Sequence, residues 1–224
     1  MALDFNGADS ESASVAAAAV TAAPLTLACW VNPDTVSGND ALVEVNDAGT
    51  NNVFLLYLAA GVINAFTSEA GSFSQASAGT ALGTNAWSHA AGVFASATSR
   101  VAYKNGVAGT ENTTSRVPTG IAQTRLGSQV GTNFMDGKLA EVGIWAGALN
   151  ADEIAALAKG FSPQHIRPSA LVGYYPLIRG TVNQGGSSNT TLDRSRSGNS
   201  MTEANTPTLA DHNLRVIYPN GGPF

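Results

Sequence analysis

Alternation with a period of two is the feature that most limits what this chain can fold into. "LTLACWV" at residues 25–31 sets Leu25, Leu27, Cys29 and Val31 against Thr26, Ala28 and Trp30. Successive side chains of a strand point to opposite faces, so this spacing separates one face from the other. "ALVEV", "VFLLYLA", "VINAF", "AWSHAAGVF", "TRLGS" and "GKLAEVGIW" are further strand segments, parted by Asn, Asp and Gly. In "SRVAYKNGVAGT", Asn105-Gly106 stands between two strand-like runs, and both residues tolerate the positive φ that a type I′ hairpin needs. One helix interrupts the pattern. "NADEIAALAKG" offers Asn150 as N-cap, Glu153 as the capping-box partner, an apolar face of Ile154, Leu157 and Ala158, and Gly160 just past the end. Many short strands with a single short helix predict an all-β sandwich or barrel.

The segment after residue 160 has a different character. It holds six of the nine prolines: Pro163, Pro168, Pro176, Pro207, Pro219 and Pro223. Two strands are predicted in it, "ALVGYYPL" and "NLRVIYP", with a loop-like stretch "GTVNQGGSSNTTLDRSRSGNS" between them. The chain therefore divides into a body, 1–160, and a C-terminal segment, 161–224, that reads as part of the same domain.

Charge narrows the partners. Only 12% of residues are charged, and the net charge is −5. The body carries six Lys/Arg against thirteen Asp/Glu, while the C-terminal segment carries five Arg against three acids. With no basic run, nucleic acid is not expected as a partner. No apolar stretch is long enough for a membrane-spanning helix, and "MALDFNGADS" does not have the form of a signal peptide. Cys29 is the one cysteine, so it cannot form an internal disulfide and is expected to pack as a small apolar side chain.

The order "LDFNGADS", "LTLACWVNPD", "AWSHAAGVF", "SRVAYKNGVAG", "RLGS", "FMDGKLAEVGIWAGALNADEIAAL" resembles the concanavalin A-like jelly roll, in its laminin G-like branch, over residues 3–158. The resemblance implies an antiparallel two-sheet jelly-roll sandwich. In many members a strand like "LVGYYPL" precedes the "LDFNG" strand. Here the order is reversed, so residues 170–176 are expected to supply that strand and to close the sheet edge beside residues 2–6. The rival is that it closes the edge of a neighbouring subunit. "NLRVIYPNGGPF" is then expected to run on as an extended arm and to serve as an assembly contact.

The resemblance also suggests sites. Relatives hold a structural calcium near the first loop and the last body strand, which points to Asn6, Asp9, Asp136 and Glu141. Calcium wants six to eight oxygen ligands, and Ala140 and Asn6 stand where relatives often have Asp, which lowers the ligand charge. The alternative for Glu141 is that it accepts hydrogen bonds from loop amides. A glycan-binding face would draw on exposed aromatics and amides, and Tyr57, Asn64, Phe66 and Tyr103 are the candidates. Trp30, Trp87 and Trp145 match core positions, and His89 a buried, hydrogen-bonded one.

Catalysis is not expected. A glycosidase needs two carboxylates flanking the scissile bond. The laminarinase-type enzymes of this fold place theirs alternately along one strand, and nothing here matches. Glu44 and Asp47 are three apart and point to opposite faces, while Glu111 and Glu141 stand alone. One cysteine and three scattered histidines do not suit zinc. The functional expectation is a non-catalytic display protein of a virus particle, a capsid decoration or tail-associated module. "HNLRVIYP" resembles stretches of phage-borne copies of the domain. Its partners would be other virion proteins or further copies of itself, and host glycans. The alternative is a free carbohydrate-binding lectin, outside the cell. A glycoside hydrolase ranks third.

Overall fold

The computed structural model describes residues 1–177, 190–212 and 216–217. Its strands run in chain order as β1 (Ala2–Phe5), β2 (Ser12–Val15), β3 (Leu25–Pro33), β4 (Asn39–Asn46), β5 (Val53–Ala59), β6 (Val62–Glu69), β7 (Ser72–Ala78), β8 (Ser88–Ser96), β9 (Ser99–Lys104), β10 (Val107–Ala108), β11 (Gln123–Leu126) and β12 (Gly137–Trp145). The helix α1 (Ala151–Ala158) follows, then β13 (Leu171–Tyr175), β14 (Thr190–Thr191), β15 (Met201–Ala204) and β16 (Thr208–Ala210). One sheet, A, has the order β10-β9-β8-β3-β12-β1-β16, with β13 also paired to β12. The other, B, has the order β14-β15-β2-β11-β4-β5-β6-β7. All named pairings are antiparallel, so the molecule is the all-β sandwich the alternation predicts.

The main core lies between the sheets. Leu25, Leu27, Cys29 and Val31 of sheet A meet Val43, Val45, Phe54, Leu56 and Leu58 of sheet B. Burying such side chains is the main favourable term in folding, roughly 25 cal/mol per Å² of apolar surface removed from water. Cys29 packs there as a free, fully buried thiol. Asn105 (φ 50°) and Gly106 (φ 84°) turn β9 into β10 with the positive φ pair that their sequence predicts.

A second core forms on the outer side of sheet A. Ala28, Ala91, Val93, Tyr103 and Trp145 pack against Leu149, Ile154, Leu157, Ile166, Leu171 and Tyr174. The helix is capped as expected. Asn150 Oδ1 accepts from Glu153 N (2.9 Å), and Glu153 Oε2 accepts from Asn150 N (2.8 Å). A bulge in β12 makes this second core possible. Between Ala140 and Gly143, two residues oppose the single Cys29 of β3. The extra residue exchanges the faces of the rest of the strand, so Val142 and Ile144 point into the main core and Trp145 points outward.

The C-terminal segment departs from expectation in detail. Its predicted strand forms at Leu171–Tyr175, but it does not pair beside residues 2–6. It joins β12 at Val142–Trp145, on the side where β1 occupies Gly137–Leu139. The free edge of β1 is taken instead by β16, with Ala2↔Ala210 and Asp4↔Thr208. The stretch read as loop contains β14, and β15 follows directly after it; together they extend sheet B beside β2. Met201 of β15 reaches the main core. The predicted arm lies mostly outside the described residues. Of it, Ile217 bridges Phe161, donating to Gly160 O at 2.6 Å. Among the described residues no helix is long and apolar enough to cross a membrane.

Candidate functional site

Sheet B has an outer face of its own, and strand register lays out its side chains in rows. One row is Ala41–Tyr57–Asn64–Ser77, and the next is Arg125–Glu44–Leu55–Phe66–Gln75. A third is Asn46–Val53–Ser68–Phe73. Ala41, Val53, Leu55 and Tyr57 form a small apolar floor, with Phe66 packed against it. Three aromatic rings follow one another across the strands. Tyr57 meets Phe66 edge-on at 5.8 Å, and Phe66 stacks on Phe73 at 5.4 Å. Both geometries are ones that aromatic pairs favour. Phe73 is 62% exposed, the far end of a strip that begins buried at Tyr57.

Amides line this strip. Tyr57 Oη donates to Gln75 Oε1 (2.6 Å), which fixes the Gln75 carbonyl and leaves its amino group unassigned by that contact. Asn64 is held on both sides, Nδ2 donating to Val62 O (2.7 Å) and Oδ1 accepting from Ser77 Oγ (2.5 Å). Tyr57, Asn64 and Phe66, named from the sequence, therefore belong to one face. Tyr103 does not. It lies on the outer side of sheet A in the core beneath α1, so the fourth member of the predicted set is corrected. Phe73 and Gln75 are the members the sequence reading missed. The alternation of "SFSQAS" was the available signal, since it places Phe73 and Gln75 on one side of a strand.

Glu44 sits on the same face, fully buried. Neither carboxylate oxygen makes a hydrogen bond, nor does the Nδ2 of its neighbour Asn46. Burial pushes the Glu44 carboxyl up to about 7, against the opposing pull of the Arg125 charge.

The residues named for calcium are only partly brought together. Asn6, Asp9 and Asp136 line a cleft of about 450 Å³ at the far end of β3, with Asp4, Glu11 and Asp34. Glu141 is elsewhere, buried at the β12 bulge with φ 50°. There it accepts a hydrogen bond from Tyr174 Oη at 2.7 Å, a side-chain hydroxyl instead of the loop amides of the alternative reading. Several of the cleft's oxygens are already engaged. Asn6 Oδ1 accepts from Ala8 N, Asp9 Oδ2 from Asn6 Nδ2, and Glu11 Oε2 from Asn6 N. Lys138 Nζ stands 3.0 Å from Asp34 and 3.4 Å from Asp4. Among the described residues no three acidic, histidine or cysteine side chains converge as metal ligands. In this arrangement the donor set does not fit a resident calcium ion.

Trp145 is fully buried, and its Nε1 donates to Ile166 O at 2.7 Å. Trp30 and Trp87 are only half-buried, Trp30 edge-on to His89 (5.5 Å) and Trp87 edge-on to His212 (6.0 Å). His89 is buried as expected, but its Nδ1 makes no hydrogen bond, which corrects the expectation of a bonded ring. Burial lowers the imidazole to about 3, so it is neutral.

With this geometry in place, comparison identifies the family. The model described as the concanavalin A-like lectin/glucanases superfamily, Laminin_G_3, matches residues 6–155. The chain belongs to that family, as a lectin-like jelly-roll domain. Comparison with curated protein sequences gives no match. Among solved structures, the chain is similar to a candidate carbohydrate binding protein from Bacteroides ovatus, at 19% identity and TM-score 0.67, covering 96% of this chain and 61% of that one. It is also similar to the native heptameric SAP-like pentraxin of Limulus polyphemus (16% identity, TM-score 0.56, covering 70% of this chain and 81% of that one). A third is domain 4 of the extracellular arabinanase AbnA of Geobacillus stearothermophilus, in complex with arabinotriose (20% identity, TM-score 0.56, covering 63% and 70%). At these identities what is shared is the fold.

Proposed function

We propose that the protein is a non-catalytic glycan-binding module and that its ligand lies on the outer face of sheet B. The observation that carries this reading is the strip Tyr57–Phe66–Phe73, which ends in an exposed ring and is flanked by the half-buried Gln75 amide, while Asn64 is buried and internally bonded beneath it. A sugar ring presents an apolar face, which stacks on an aromatic ring, and hydroxyls, which pair with amides. The B. ovatus and arabinotriose-bound structures support the reading by analogy of fold. The setting we infer is the surface of a virus particle, where the C-terminal segment contacts other particle proteins or further copies. The low charged fraction of 12% supports it.

A glycan array probed with the full chain and with Phe73→Ala tests the site. Selective binding is expected, reduced tenfold or more in the variant, about 1.4 kcal/mol. An array without selective signal, or a signal indifferent to Phe73, would sink the proposal. Native mass spectrometry of purified particles tests the setting, since a display protein must appear there in fixed copy number.

A further inference from the structure

The sandwich pole opposite the acidic cleft carries a second cavity, of about 300 Å³. Strand β3 connects the two, with Pro24 of this cavity before its start and Asp34 of the cleft just past its end. Nine extended residues separate them, roughly 30 Å. The walls are apolar and come from four separate segments: Pro24, Phe54, Ala95 and Ala97, and Val117. One charged side chain, Arg116, lines it.

The charge there is unbalanced. Among the described residues, ion pairs are made by Lys138 and Arg167, and neither Arg116 nor the nearby Arg100 takes part in one. Arg100 is 1% exposed and bonds only neutral acceptors: Ser74 Oγ, Asn112 Oδ1, and the carbonyls of Ala97 and Thr114. Burial, and after it the adjacent Arg116 charge, lower its pKa. Arg116 is anchored by Nη1 to Ser115 O (2.8 Å) and by Nη2 to Phe73 O (3.2 Å), while its Nε–H has no acceptor. Two carboxylates stand in this neighbourhood, Glu69 accepting from Val117 N (3.1 Å) and Glu111 accepting from Ser99 Oγ, and neither forms an ion pair with an arginine. Two arginines without an ion-pair partner, one of them lining the cavity, leave a guanidinium there open to an anion.

We propose that this cavity binds a small organic carboxylate with a compact apolar body, the carboxylate paired with Arg116 and the body lodged against Pro24, Phe54 and Val117. Apolar walls favour a ligand with little hydrophilic surface beyond its charge, and a guanidinium fork matches a carboxylate in shape. The site adjoins the aromatic strip through the Phe73 carbonyl but stands independently of the glycan reading.

The test is an amide-resolved NMR titration with sodium benzoate, beside benzamide as the neutral isostere and sodium sulfate at matched ionic strength. Benzoate is expected to give saturable shifts at Ala22, Ala23, Ala95, Ala97 and Val117. Benzamide and sulfate should bind those residues at least fivefold more weakly. Arg116→Gln should bring benzoate down to the benzamide level. Ala95→Leu changes an exposed wall residue and leaves the arginine alone, so it should narrow the cavity and weaken benzoate even if Arg116→Gln does not fold. Equal shifts from benzamide or sulfate, no localised shifts at all, or benzoate binding indifferent to Ala95→Leu would each overturn the proposal.

Discussion

Tyr174 of β13 donates its hydroxyl to Glu141 Oε2, 2.7 Å away, at the bulge of β12. The bond joins the C-terminal segment to the last strand of the body in a buried setting, with Ser162 Oγ donating in turn to Tyr174 Oη at 3.3 Å. Burial raises the Glu141 carboxyl to about 6, and the tyrosine hydrogen bond restrains that rise. Tyr174→Phe leaves a buried carboxylate without this donor. A loss of about 1–3 kcal/mol is expected, greater at pH 8 than at pH 5, because only the ionised acid needs the donor. Urea denaturation of both proteins at the two pH values checks it. An equal loss at both would mean that the hydroxyl contributes packing alone.

Glu44 makes the stability of the whole chain depend on pH. Its folded value of about 7 lies above the ordinary 4.5, so the native state holds a proton that the unfolded chain releases. Stability is then full below about pH 4.5 and falls as pH rises through 7. Glu44→Gln keeps the shape without the charge. It should flatten the profile and leave the variant more stable at pH 8, by on the order of 3 kcal/mol. Any slope the variant keeps between about pH 4 and 6 belongs to Glu141 and to buried Asp40, each raised by burial to about 6 with the same sign. If Glu44→Gln left the parent's profile unaltered, Glu44 would be shown to ionise without cost.

Gly109 lets one backbone pass over another. A methyl group on it would come within 2.0 Å of Ser77 O and 2.8 Å of Ala78 Cα, both main-chain atoms of β7. Relief requires the strand or the segment to shift, so Gly109→Ala should cost about 1–3 kcal/mol. A lowered Tm is the readout. An unchanged Tm would mean that this crossing yields easily.

Calcium should leave the melting temperature unaltered. In the cleft, Asn6, Asp9 and Glu11 accept from internal donors, and Lys138 pairs with Asp4 and Asp34. Calorimetric scans in EDTA and in millimolar CaCl₂ at equal ionic strength are expected to coincide. A rise of several degrees would show that the first loop rearranges to ligate the ion.

What could be read from the sequence was whatever rested on local pattern. Leu25 to Val31 alternates because a strand between two layers must, and Asn105-Gly106 and the Asn150–Glu153 cap follow from backbone chemistry within a few residues. The misses depend on long-range pairing. Thr190–Thr191 and Met201–Ala204 sit in Ser-, Thr- and Asn-rich chain whose side chains compete locally for backbone groups, so only the open edge of β2 makes strands of them. The same holds for Thr208–Ala210 against β1. Tyr103 was grouped with Tyr57 because periodicity tells that a residue faces outward without telling from which sheet. Glu141 joins the metal candidates only through the family resemblance, and the β12 bulge at which it sits, bonded to Tyr174, leaves no mark in an alternating string.

The first strand is held on both flanks, Leu3 facing Leu139 on one side and Leu209 on the other. A load applied at Met1 along the strand therefore meets two antiparallel ladders in parallel, and they must slip together instead of opening bond by bond. One of those ladders belongs to the body and the other to residues near the far end of the chain. Tension on the first strand thus has to break the closure between the two ends before it reaches the core, so mechanical strength in this domain rests on the four residues of β1 and the three of β16.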